Sequence, residues 1–110
     1  MIDDTNTIPL GQAQDWAAKW RSNPANTVKA HLIPQADITQ LYAKTDVVDI
    51  RAYLGIDANG IQKLMLVGVD ASGNDLIDSK TGHYIYDFTT PCPTMCSVRS
   101  PLFTLQPVQP

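Results

Sequence analysis

Two thiols stand four positions apart in the segment Thr89-Thr90-Pro91-Cys92-Pro93-Thr94-Met95-Cys96, and they are the most chemically loaded pair in the chain. Three chemistries are open to them. Cys92 and Cys96 can close a local disulfide if their Cα separation and Cβ directions allow it. As thiolates they can hold a soft or borderline metal, Cu(I) or Zn²⁺. Or they are free structural thiols. Zinc needs more than two sulfurs. His83 is the obvious recruit, with His31 or Asp87 a poorer fourth ligand, yet the spacing His83-x8-Cys92-x3-Cys96 follows no established zinc pattern.

Other constellations are weaker. All eleven acidic residues are Asp, so the chain has no Glu. That excludes an HExxH metalloprotease and the HxE half of a zinc deaminase, whose PCxxC spacing PCPTMC also misses by one residue. The segments Asp57-Ala58-Asn59-Gly60 and Asp70-Ala71-Ser72-Gly73-Asn74-Asp75 place oxygen side chains close together. A calcium loop would want Gly at the sixth position and Glu at the twelfth. The second segment has Asp75 and Thr81 there, and its residue types are those of any tight turn. There is no GxSxG and no Gly-rich phosphate loop, so no catalytic residue is assigned. Asp49, Arg51 and Tyr53 alternate along one strand face, either as a polar binding surface or as a solvated, ion-paired one.

Composition narrows the classes further. The chain has 110 residues, a 44% hydrophobic and 17% charged content and a net charge of −3. This suits one small folded domain over residues 1–110 and argues against disorder. The eight Lys and Arg are scattered, whereas nucleic-acid binding wants them clustered. The longest apolar run, 64–69, is too short to span a bilayer. Met1-Ile2-Asp3-Asp4 is followed by no apolar signal segment, which makes a cytoplasmic location the expectation.

The elements that must position these residues are read from periodicity. Residues 1–7 are polar and expected to fray. Ala13, Trp16, Ala17 and Trp20 share one helical face, with Pro9 in the first turn and Ser22-Asn23-Pro24 as the stop; the two tryptophans are expected in the core. A short strand over 28–33 and a helix over 34–44 follow. Val48, Ile50, Ala52, Leu54 and Ile56 alternate with polar residues, so this strand should bury one face. Asn59-Gly60 turns it into a partner over 62–70, and a last strand is expected over 84–88. Five of the eight prolines lie in 89–110, which reads as an extended Pro-rich tail. The expected fold is an α+β two-layer sandwich of order α-β-α-β-β-β, with two helices on one face of an antiparallel sheet of about four strands.

Two resemblances attach to particular residues. Thr90-Pro91-Cys92-Pro93-Thr94-Met95-Cys96 resembles the TxCPxxC loop of the Sco copper chaperones, whose cysteines hold copper together with a distant downstream histidine. Here fourteen residues follow Cys96 and none is His. Taken together, Trp16–Arg21, Lys29–Pro34, 48–57, Leu66–Asp70 with Gly73-Asn74-Asp75, Pro91-Cys92-Pro93 with Cys96, and Ser100-Pro101-Leu102 resemble a group of small single-domain proteins of the Bacteroidota that end in a Cys-Pro loop. That resemblance implies no activity, cofactor or catalytic residue.

The functional expectation is a non-enzymatic binding or interaction module that contacts a protein partner or a second copy of itself. The alternative is a thiol-based metal (Zn or Cu) or redox protein using Cys92 and Cys96, with His83 as a further ligand.

Overall fold

A computed structural model describes residues 6–106; the ends, 1–5 and 107–110, lie outside the described residues, and with them most of the expected frayed N-terminus and the last two prolines. The fold is α+β, with three helices and two antiparallel sheets. Helix α1 is Leu10–Arg21 and α2 is Gln35–Ala43. In both, proline is the N-cap and not the first helical residue: Pro9 and Pro34 hold φ at −65° and −64° and contribute no N–H that would need a partner. Asp37 lies buried in the first turn of α2.

Strands β2 (Asp49–Ile56) and β3 (Gln62–Val69) form the hairpin expected from alternation, in register from Asp49 opposite Val69 to Ile56 opposite Gln62. Its turn is a type I turn closed by Gly60 at φ 79°, with the Gly60 N–H donating to the Asp57 carbonyl at 3.0 Å. The Asp57 carboxylate accepts from the N–H groups of Asn59 and Ile61, each at 2.9 Å. Asp70 repeats the device with Ser72 and Asn74, and these backbone donors, Asn74 first, hold its carboxyl below the usual range. Both Asp-rich segments are therefore built as turns. The second leads into β4 (Asp75–Leu76), which pairs with the far end of β3.

Three expectations are corrected. There is no single four-stranded sheet. Strand β1 is only Ala30–Leu32, and it pairs with β5 (Thr90–Cys92) in a separate two-stranded ribbon. Residues 84–88 do not form a strand: they touch β3 only through a bridge between Tyr86 and Leu66, and Phe88 is 76% exposed. Nor is the segment from 89 simply an extended tail, since it holds β5 and a short helix, α3 (Pro101–Thr104). Pro91 fits β5 because a two-stranded ribbon has an outer edge on which the missing N–H costs no ladder bond.

The core is small. Leu66, Val67 and Val69 of β3 are buried with Leu41 of α2 and Val28. Helix α2 packs on β3, whereas α1 packs on α3, so the two long helices do not lie together on one sheet face. No residue of α1 is buried, and Trp16 and Trp20 are 54% and 42% exposed, against the expected core role. The even-numbered face of β2 is likewise open at its C-terminal end, with Leu54 and Ile56 at 77% and 72% exposure. On the opposite face, Arg51 and Tyr53 both reach across β3 to the carboxylate of Asp75. That face is ion-paired, and Asp49 takes no part in the cluster.

Candidate binding groove

The segments that sequence periodicity left unconnected meet around one cavity. Helix α1 supplies Ala13, Trp16 and Ala17 as one wall, from the apolar face that leaves its tryptophans uncovered. The ribbon supplies Ala30, His31, Leu32 and Cys92. Met95 and Cys96 of the Cys-Pro loop, with Leu102 and Phe103 of α3, close the far side. The groove has a volume of about 510 Å³, within the range of small-molecule sites.

Side-chain to backbone hydrogen bonds hold these walls together. The Arg21 guanidinium donates to the carbonyls of Phe103 and Leu102, at 2.8 and 2.6 Å. The Gln14 amide donates to the carbonyls of Pro101 and Gln106, at 3.1 and 2.7 Å. Trp20 Nε1 donates to the Val28 carbonyl at 2.7 Å, fixing the approach to β1. The ribbon is tied to the larger sheet through Thr89: its hydroxyl donates to the Leu64 carbonyl, and its own carbonyl accepts from Lys63 Nζ, both at 2.8 Å. The Ser100 hydroxyl accepts from the Leu102 N–H, and Pro101 follows in the first helical position. This Ser-Pro pair was the one sequence signal that marked α3 inside the tail.

The charge around the groove is one-sided. Among the described residues that line it, the ionisable side chains are Arg21, Lys29 and His31, and there is no Asp. Lys29 Nζ lies 5.8 Å from the centre of the Phe103 ring. His31 is half-buried, and its Nδ1 is out of reach of solvent, with no hydrogen-bond partner among the described residues. Burial, and then the positive charge of Lys63, hold its pKa below the usual histidine value. His31 also borders a second cavity of about 280 Å³, with Trp20, Leu54, Ile56 and Lys63.

Of the residues singled out in the sequence, Cys92 and Cys96 come together. Their Cα atoms are 4.8 Å apart, with the sulfurs at disulfide distance. Cys92 is buried and Cys96 half-buried, both in the groove wall. His83 is held elsewhere. Its Nε2 donates to the Thr45 carbonyl at 2.9 Å, and its Nδ1 is 2.6 Å from the Thr81 hydroxyl. Among the described residues no group of three or more His, Cys or Asp is gathered as a metal would need. His31, weighed only as a poorer metal ligand, instead shares the groove wall with Cys92 and Cys96. No helix among the described residues is long and apolar enough to cross a membrane. No family model, curated protein or solved structure matches the chain.

Proposed function

We propose that the protein is a non-enzymatic binding module whose groove takes a small amphipathic anion, an apolar chain or ring bearing a carboxylate. One observation carries this reading. In a chain with eleven Asp and a net charge of −3, the groove is walled by apolar side chains and carries Arg21 and Lys29 but no Asp. The apolar walls favour burial of a hydrocarbon body. Lys29, which lies over the Phe103 ring and forms no ion pair among the described residues, suits the anionic end, while Arg21 is already committed to backbone carbonyls.

Trp16 lines the groove and Trp20 does not, so Trp16 reports on occupancy. Its fluorescence, taken as the part of the native signal that a Trp16→Phe variant lacks, should change saturably on titration with a medium-chain carboxylate. Binding should be at least tenfold weaker for the alkyl ammonium of equal length, and weaker again for the carboxylate when Lys29 is replaced by Ala. Equal affinity for the ammonium, or no saturable change, would rule the reading out.

A thiol-based role is the second reading, favoured by the disulfide-distance pair in the groove wall. A lasting disulfide belongs to oxidising compartments, while a reversible one suits the cytoplasmic expectation. Thiol titration of native and of unfolded, unreduced protein separates these states, and elemental analysis for zinc and copper tests the metal form. Two reactive thiols in the unreduced protein without bound metal would remove both the disulfide and the metal.

A further inference from the structure

We infer that β2 is a self-pairing edge, through which two copies of this chain join their sheets antiparallel about Ala52. The inference does not rest on the groove ligand and concerns the hydrogen-bonding edge of the larger sheet. It begins with the hydrogen-bonding direction of β2. The Asp57 N–H donates to the Ile61 carbonyl at 2.9 Å, in continuation of the β2–β3 register. Odd-numbered residues of β2 therefore turn their N–H and C=O toward β3. On β3, Leu66 exchanges both backbone bonds with Tyr86, at 2.8 and 2.9 Å, so its even-numbered residues point away from β2, as the same phase requires. Ile50, Ala52, Leu54 and Ile56 are thus left with their N–H and C=O directed to the outer edge. Among the described residues no strand pairs with that edge.

The edge is lightly guarded. Natural edge strands are protected by charged side chains, Lys above all, by Pro, by bulges or by shortness, and Asp49 at the first position is the one charge of β2 with no ion-pair partner among the described residues. β2 is eight residues long and contains neither Lys nor Pro. Its one cation, Arg51, is drawn across the sheet face to Asp75. Leu54 and Ile56 stand open beside it.

A second copy is the occupant whose complementarity can be read directly. Pairing centred on Ala52 joins the strand from Asp49 to Gly55: Ile50 lies opposite Leu54 of the second copy and Arg51 opposite Tyr53, with no like charges opposed. Centring on Tyr53 would oppose Asp49 to Asp57, and centring on Leu54 would leave the first three residues of β2 unpaired.

Light scattering on a sizing column should give twice the chain mass at tens of micromolar. Ala52→Pro removes an outward donor without touching the β2–β3 ladder, and should yield a monomer with an unchanged circular dichroism spectrum. Ala52→Cys should cross-link to a covalent dimer under copper phenanthroline oxidation in most of the protein, and Leu54→Cys only in traces. A native monomer at several hundred micromolar would overturn the inference, as would a dimer that survives Ala52→Pro with the fold intact. Should Ala52→Pro fail to fold, the cysteine pair decides alone, and preferential cross-linking at 54 would overturn the register.

Discussion

The Arg21 guanidinium donates to the carbonyl of Phe103 at 2.8 Å, joining the last residue of α1 to a helix 82 positions later in the chain. With the bond to Leu102 it makes a two-point clamp across the groove. Helix α3 is only four residues long and buries no side chain, so it depends on such contacts. Arg21→Ala should cost about 1–2 kcal/mol in urea unfolding. Arg21→Lys should recover less than half of that, because a single ammonium cannot reproduce the forked geometry. Loss of protection of the α3 amides in hydrogen exchange, with β3 unaffected, would localise the effect.

Thr89 is the joint between the ribbon and the larger sheet. It is 2% exposed, and its hydroxyl meets the Leu64 carbonyl. Thr89→Val keeps the shape and removes the donor, leaving a part-buried carbonyl unpaired. The expected loss is about 1–3 kcal/mol, read as a lower urea midpoint with an unchanged slope. Thr89→Ser keeps the hydroxyl and should fall between Val and the native residue.

Gly68 faces Val47 at close range: a Cβ there would lie 2.6 Å from Val47 Cγ2. Gly68→Ala should destabilise by about 1–3 kcal/mol through overpacking. Adding Val47→Ala removes the clashing methyls, so the double variant should be more stable than Gly68→Ala alone. Additive losses would show that the strain lies elsewhere.

His31 should make stability fall on mild acidification. Its folded pKa lies below the ordinary value near 6.5 because burial, and then Lys63, disfavour the imidazolium. The unfolded chain therefore binds more protons just below pH 6.5, and stability drops as pH falls from about 7.5 to about 5.5. Carboxylates titrate below this window. His31→Gln should flatten the slope of the urea midpoint with pH across it. A slope unchanged by the substitution would reject the assignment.

Much of the local structure was legible from residue order. Strict alternation over 48–56 and the Asn-Gly and Ser-Gly turns specified the β2–β3 hairpin and its second turn, because strand period and left-handed glycine are properties of a few neighbouring residues. The helix starts at Pro9 and Pro34 were readable for the same reason. Whether Cys92 and Cys96 approach was left open by their spacing, since an extended chain carries residues four apart about 13 Å from each other, and the loop's own geometry brings their Cα atoms to 4.8 Å. What surrounds that pair was not legible either. Pairing of Ala30 with Cys92 spans 62 positions and puts a proline inside a strand, which local preference disfavours and only an edge position permits. The docking of α1 beside that ribbon decided that Trp16 lines a groove instead of a core, and the pairing of β4 on β3 decided that Arg51 answers to Asp75. Periodicity states that a face is apolar; what covers the face depends on contacts distant in the chain, whose geometry exists only once the segments have packed.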